Sequence, residues 1–360
     1  MATKLQHISP EELLIHPGET IQEVIQDRNI TQKELAIRTG FTEKHISTVI
    51  NGQKNISAEF AMKLEYALGI PASFWRNLQT NYDLEVVAFN EKHNISLEEK
   101  KIAKEVKDTV EILTNNKIKS NSGLDSVYYI RQLLGVSNLK AISTLNSAQY
   151  RAQFVENTSE NIMYTWQYLC EKKVENQTDN KLDIDKLINN LDRIKNIMHE
   201  DAEKHIDLIR EVLNECGILF TVEKQVKNAP INGLTVRTKK DQVMIALTIR
   251  GKYADIFWFT LFHELAHVFY KDYLKNQSIW EKDNVIEKRA DEFARDQLID
   301  KTLYKEFTDK YDFSIESINR FAVKNNVLPT IVIGRLMKDK FLPWNYSNHR
   351  DKYNWIGEDE

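Results

Sequence analysis

Cysteine is nearly absent. The two thiols in 360 residues, Cys170 and Cys216, make neither a disulfide framework nor the paired spacing of a thiolate metal site. Both read as small buried apolar groups. No apolar run approaches the ~20 residues that a membrane-spanning helix needs, so no membrane association is expected. The opening MATKLQHISPEELL lacks a basic stretch followed by an apolar one, and therefore does not read as a secretory signal. A strong positive charge is also missing. With a formal net charge of −4, any contact with nucleic acid must come from a local face rather than from the field of the whole chain. Disorder is excluded by an ordinary 42% hydrophobic and 28% charged content, which describes a soluble globular protein with the reducing cytoplasm as its expected location.

The length suffices for two or three domains, and three blocks are legible. Residues 1–80 alternate short amphipathic segments with tight turns and end near GIPASFWRNLQ. Residues 81–210 read as helix almost throughout, without proline, with IKSNSGLDS (118–126) as a loop. In residues 211–360 the period changes. ILFTVEK and INGLTVRTKKDQVMIALTIR carry β-branched residues in short runs, with Lys239-Lys240-Asp241 as a hairpin tip. Helical patterning returns from about Asp255 to about Lys340. The predicted fold class is mostly α with a small β-sheet, α+β.

In the first block, NITQKELAIRTGFTEKHISTVINGQKNIS reads as two short helices around a glycine. Thr31 and Glu34 form a capping box, Leu35 and Ala36 face inward, and Gly40 permits the positive φ of a tight turn. Thr42 caps the second helix, Ile46, Val49 and Ile50 recur at core-facing spacing, and Asn51-Gly52 stops it. This is the helix-turn-helix pattern that reads DNA. Gln32 and Lys33 open the first helix, where a phosphate could be met. Thr42, Lys44, His45, Ser47 and Thr48 are exposed between core positions of the second, as short polar or basic groups suited to base edges and phosphates. Glu43 is better suited to a cytosine amino group than to a phosphate. From Arg28 to Lys54 there are five Lys/Arg against two acids, a local positive excess in an acidic chain. Taken whole, HPGETIQEV…GIPASFWRNLQ resembles the lambda-repressor-like XRE family, and within it the HigA antitoxin type. That resemblance implies an N-terminal lambda-repressor-like domain, double-stranded DNA as partner, a homodimer, a palindromic operator, and a toxin as possible protein partner.

In the third block, WFTLFHELAHVFY (258–270) sets two histidines and a carboxylate in an apolar run. Burying such groups is costly unless something satisfies them. On a helix His263 and His267 lie one turn apart on one face, the spacing with which two imidazoles bind one Zn²⁺. Glu264 points to the side where an attacking water would sit and can take its proton. A third ligand is offered by IEKRADEFARDQL: Glu287, with Asp291 four residues later supporting a ligand histidine. Ala290 and Ala294 permit close helix packing, and Phe293 fills the core. Glu281 and Glu292 are alternatives, but Glu292 lies about 140° round the helix from Glu287 and is expected to face water.

FHELAHVFY and EKRADEFA together resemble the ImmA/IrrE family of metallopeptidase-like proteins, which implies a C-terminal zincin-like domain. His263, Glu264, His267 and Glu287 match its motif. Asp291 stands where the family often has Asn, and Arg289 where it often has Glu. QLLGVSN, the strand-hairpin-helix entry INGLTVRTKKDQVMIALTIRGKYADIFWFTLFHELAHV and VLPTIVIGRLMKDK extend the likeness. It implies zinc-dependent peptide hydrolysis with Glu264 as catalytic base, acting on a regulatory protein. The strand in QVMIALTIR is itself expected along the cleft edge, where it can hold an extended peptide by backbone pairing. A non-catalytic sensor and an antitoxin-like autorepressor are the competing implications. His199, Glu200 and His205, on one helical segment at a spacing unsuited to sharing a face, are expected at the surface. Trp75, Trp166, Trp258 and Trp280 are expected in the core. Trp344, Tyr346, His349 and Trp355 are expected in a tail packed over the last domain, and Lys338 and Lys340 in solvent.

Overall fold

The computed structural model describes residues 14–118, 123–149, 159–274 and 284–355. It divides into two compact units, residues 1–96 and 97–360. The fold is mostly helical with one small three-stranded sheet, as the periodicity predicts.

The first unit holds α1 (Pro17–Asp27), α2 (Gln32–Thr39), α3 (Glu43–Ile50), α4 (Ala58–Leu68) and α5 (Ala72–His93). HPGE is explained by its contacts. His16 Nδ1 accepts the Gly18 N–H at 2.9 Å and caps α1, while Pro17 occupies a first-turn position where no N–H is needed. Gly18 lies so close to the end of α3 that a Cβ would press on the Val49 carbonyl oxygen and sit 2.7 Å from that of Ile50. Neither backbone group can swing away. Gly18→Ala should therefore cost at least the ~1–3 kcal/mol typical of overpacking, read as a fall in the denaturation midpoint of this unit. Ile21, Leu35, Ile46, Val49, Phe60, Leu64 and Trp75 form its core. Gly69 ends α4 in the left-handed conformation (φ 67°), and the Glu65 carboxylate accepts the Ala72 N–H at 2.6 Å. That bond supplies the cap that Pro71 cannot give α5.

The second unit begins with α6 (Leu97–Thr114), α7 (Gly123–Leu134), α8 (Ala141–Gln149) and α9 (Glu160–Val174). Of the expected loop 118–126, residues 119–122 lie outside the described residues, and α7 already starts at Gly123. Between α6 and α7 sits an ion pair of unusual depth. The Glu99 carboxylate, 1% exposed, accepts from Arg131 Nε and Nη2 at 2.7 Å each and from the Leu139 N–H at 2.9 Å. Burial pushes this carboxyl up most strongly, but Arg131 and the Leu139 N–H outweigh it and hold it below the usual carboxylate range. A depressed folded-state pKa stabilises the protein above the ordinary carboxylate pKa and is lost as pH falls through the folded value. Glu99→Gln should thus cost about 3–5 kcal/mol near neutrality by stranding Arg131. The gap between variant and wild type should narrow on acidification below about pH 4, as measured by urea denaturation at each pH.

Next come α10 (Ile184–Asn196) and α11 (His205–Glu215), then β1 (Ile218–Glu223), β2 (Gly233–Arg237) and β3 (Val243–Thr248). The strand order is β1-β3-β2, with β1 parallel and β2 antiparallel to β3. The hairpin tip is as expected, with Asp241 at φ 65°. QVMIALTIR supplies β3, which is the central strand and cannot lie at a cleft edge; that expectation is corrected. Its unbroken apolar run, buried at every position, is what a strand with two neighbours and two covered faces requires. The outer side of β1 is met by Gln177, whose amide donates to the Phe220 carbonyl at 2.9 Å and accepts the Phe220 N–H at 3.0 Å. β2 is the other edge.

The chain ends with α12 (Ala254–Phe269), α13 (Asn284–Leu298), α14 (Lys301–Thr308), α15 (Ile315–Lys324) and α16 (Pro329–Lys338). Ala290 and Ala294, both fully buried, let α13 lie close against α12. Phe293 stacks on Phe269 at 5.5 Å. Trp75, Trp166 and Trp258 are fully buried, and Trp280 lies outside the described residues. The tail does pack on this domain. Arg350 grips Asp255 through both carboxylate oxygens at 2.6 Å, and Tyr346, Tyr353 and Trp355 pack against the core, whereas Trp344 and His349 are exposed. Among the described residues no helix is long and apolar enough to cross a membrane.

Candidate metal centre and nucleic-acid face

The helix-turn-helix forms for the reasons its sequence suggests. Thr31 Oγ1 accepts the Glu34 N–H at 3.1 Å. The capping box is only half made, because the Glu34 carboxylate turns to Arg38 at 2.6 Å. Gly40 turns the chain at φ 73°, and Thr42 Oγ1 accepts the His45 N–H at 3.2 Å to start α3. Lys33, Thr42, Glu43 and Lys44 are exposed, while Gln32, His45, Ser47 and Thr48 are half-buried. Gln32 bonds Gln22 at 3.2 Å, Ser47 bonds Asn51 at 3.3 Å, and Thr48 donates to the His45 carbonyl at 2.8 Å. The His45 ring stacks on Phe41 at 4.4 Å and meets Phe60 edge-on at 5.1 Å. Burial first, then the nearby Lys54, lower its pKa. His45 therefore brings a neutral ring rather than a charge to this face.

In the second unit three donor atoms converge. His263 Nε2 and His267 Nε2 face each other at 3.1 Å, Glu287 Oε2 lies 3.3 Å from the first, and Glu287 Oε1 lies 3.7 Å from the second. The far side of each ring decides their orientation. His263 Nδ1 is 2.9 Å from Asp291 Oδ1, and His267 Nδ1 is 3.2 Å from Asp272 Oδ2. An ionised carboxylate can only accept, so each Nδ1 carries the proton and each Nε2 is the atom turned to the shared centre. Two nitrogens and a carboxylate oxygen within 4.8 Å of one another suit a tetrahedral divalent ion with one position open. Charge agrees with geometry. Burial depresses the His263 pKa most strongly, yet the bonds to Asp291 and Glu287 and the charges of Glu264 and Glu287 reverse it, to about 10. The centre is built to hold positive charge.

Glu264, next to the first ligand and buried, is held by the Thr235 hydroxyl, which donates to its Oε2 at 2.7 Å. Gly233 makes room for it. A Cβ there would collide with Glu264 Oε1 and lie 2.7 Å from both Glu264 Cγ and Thr260 Cγ2. A cleft of about 1120 Å³ opens onto the centre, lined by residues 230–232 and the first three residues of β2, by α12, α13 and α16, and by Trp344. Its size suits a ligand of several residues.

The sequence-derived set His263, Glu264, His267, Glu287 and Asp291 is thus brought together. Glu292 is exposed and apart from the donor set, and Glu281 lies outside the described residues. Asp272, Thr235, Gly233 and Arg289 were missed. Asp272 had one signal, a carboxylate five residues past His267 where the helix ends; Thr235 had none. His205 corrects an expectation. The segment from His199 is broken into short turns, His205 begins α11, and its ring is buried. Its nitrogens lie 2.9 Å from the Tyr353 hydroxyl and 2.9 Å from the Glu200 carbonyl. Trp258 Nε1 donates to the same hydroxyl at 2.9 Å, so the histidine pins the tail. His199 and Glu200 are exposed, as are Lys338, at the cleft rim, and Lys340.

A reading unit of two capped helices, and a paired-histidine helix packed on a carboxylate helix, define a helix-turn-helix protein that also carries a metallopeptidase-type domain. Residues 21–75 match the family model described as helix-turn-helix, and residues 252–337 match that of peptidase M78, described as the IrrE N-terminal-like domain. The chain belongs to the XRE-type helix-turn-helix regulators, joined in one polypeptide to an ImmA/IrrE-like domain. Virulence-associated protein I of Dichelobacter nodosus is 31% identical over 84 residues, 23% of this chain and 77% of that protein. YddM of Escherichia coli K12, an uncharacterized HTH-type transcriptional regulator, is 29% identical over 68 residues, 19% of this chain and 72% of that protein. A solved structure from Nostoc punctiforme, described as an antidote protein of a plasmid maintenance system, is 37% identical, covers 22% of this chain and 87% of that one, and has a TM-score of 0.22.

Proposed function

We propose that this protein is a DNA-binding transcriptional regulator whose C-terminal domain is a zinc-dependent peptidase that cleaves a regulatory protein. The observation that carries the second half is the convergence of His263, His267 and Glu287 beside a restrained Glu264. A Zn²⁺ held by the three donors would supply Lewis acidity at a scissile carbonyl. The chain's own groups do the rest. The Glu264 carboxylate takes a proton from the attacking water and passes it to the leaving amine. Thr235 keeps that carboxylate aimed. Residues 233–235 of the edge strand β2 pair with the backbone of an extended substrate. Intact donors favour this over a sensor without turnover. An antitoxin-like autorepressor, which needs only the first unit and a toxin, would leave them without a purpose. The test is a survey of new protein N-termini in cells producing wild type or Glu264→Gln. Cleavage products confined to wild type support the peptidase, and identical termini count against it.

On the other unit, α3 enters the major groove of a palindromic operator as part of a homodimer, with Lys33 and Lys44 on phosphates and Thr42, Ser47 and Thr48 toward base edges. Lys33→Ala should weaken binding to specific and unrelated DNA alike and lower the salt-dependence slope by about one per protomer contact. Titrations at several salt concentrations measure this. An unchanged slope removes Lys33 from the interface.

A further inference from the structure

We propose that Arg289 is a positioning residue for the metal centre, acting through buried Asp272 to tie the helix that carries Glu287 to the turn that holds His267. The inference rests on the metal-site reading and extends it to a residue that touches neither ion nor substrate. Asp272 is fully buried and uses its two oxygens in different directions. Oδ2 faces His267 Nδ1 at 3.2 Å, and Oδ1 accepts from Arg289 Nη2 at 2.7 Å. The guanidinium also lies over the Tyr270 ring, 3.9 Å from its centroid. Tyr270 and Asp272 flank Lys271, whose φ of 57° turns the chain just after α12. One arginine thus holds both sides of that turn.

The arrangement gives α13 two tethers to the histidines of α12. Asp291, four residues after Glu287, reaches His263 directly at 2.9 Å. Arg289, two residues after Glu287, reaches His267 at one remove. Each ligand ring is therefore tied by hydrogen bonds to the helix that delivers the third ligand. A guanidinium suits this role better than an ammonium, since its planar fork can bond a carboxylate and stack on an aromatic face at once. A buried carboxylate also needs a counter-charge close by.

The test compares full-length wild type, Arg289→Ala, Arg289→Lys, Asp272→Asn and the Arg289→Ala/Asp272→Asn double variant. The readouts are Zn²⁺ affinity, by competition with a chromophoric chelator, and thermal midpoints with and without the ion. Arg289→Ala should weaken Zn²⁺ binding about 10–100-fold, as loss of an outer support does elsewhere. Arg289→Lys should recover part of that loss. The double variant should bind no worse than Asp272→Asn, because both changes cut one path. If Arg289→Ala lowers both midpoints equally and leaves Zn²⁺ affinity at the wild-type value, the residue is merely structural and the proposal is overturned. Should Arg289→Ala not fold, Arg289→Lys and Asp272→Asn decide: wild-type affinity in both overturns it equally. Wild type that binds no Zn²⁺ refutes the metal centre itself, a separate and distinguishable failure.

Discussion

Glu264→Gln is expected to retain zinc and lose cleavage. Glutamine keeps the length of the side chain and an oxygen that can still accept the Thr235 hydroxyl now 2.7 Å from Glu264 Oε2, so the cleft keeps its shape. What disappears is a group that can take a proton from water and return it to a leaving amine. General acid–base participation contributes about 10²–10⁴ in rate, and turnover on any peptide that wild type cleaves should fall by at least that factor. Mass-spectrometric peptide mapping measures the rate, and elemental analysis the ion. Wild-type turnover in a zinc-loaded Glu264→Gln protein would remove Glu264 from the chemistry. Loss of zinc along with activity would mean that the side chain shapes the site instead.

Glu287→Ala is expected to have the opposite signature: the ion goes first. It leaves two imidazoles facing each other at 3.1 Å and no carboxylate to complete the set. Zinc affinity should fall by more than the ~10–100-fold typical of outer-shell changes. The stabilisation conferred by the ion, about 2.7 kcal/mol at a hundredfold excess over Kd, should vanish with it. Calorimetry with and without zinc would show two transitions in wild type and one in the variant; retained metal-dependent stabilisation would place the third ligand elsewhere. The pH dependence has a defined sign. In the metal-free protein the surrounding carboxylates hold the His263 pKa up at about 10, so the protonated ring stabilises the fold below the ordinary histidine value and this contribution fades as pH rises toward 10. Zinc must displace that proton. Its affinity should weaken on acidification, roughly tenfold per pH unit for each proton released.

The parts of this protein legible in its sequence are those set by neighbours along the chain. His263 and His267 share a face because a helix repeats every ~3.6 residues, and the same period brings Glu287 and Asp291 together on α13. Gly40 between Thr31 and Thr42 announces a turn between two capped helices because only glycine takes that conformation at no steric cost. The identity of the open strand was not legible. β2 and β3 are both short and rich in β-branched residues, and only the order β1-β3-β2 decides which of them has a free side. Asp272 and Thr235 were invisible for the same reason. An aspartate after a helix and a threonine in a strand are common, and each gains its role only when folding brings it against a ring or carboxylate of α12. His205 went the other way, from expected surface to interior, because the tail that covers it comes from residue 353.

By itself, then, the sequence determined two capped helices suited to DNA, a helix with paired imidazoles and a second bearing carboxylates, since each depends on covalent spacing and the helical repeat. Tertiary structure alone decided that the second helix packs against the first closely enough to close a three-donor centre. It also decided that Asp272 and Arg289 brace that centre, and that β2 rather than β3 borders the cleft. These are contacts between segments distant in the chain, and no local periodicity encodes a distance across the core.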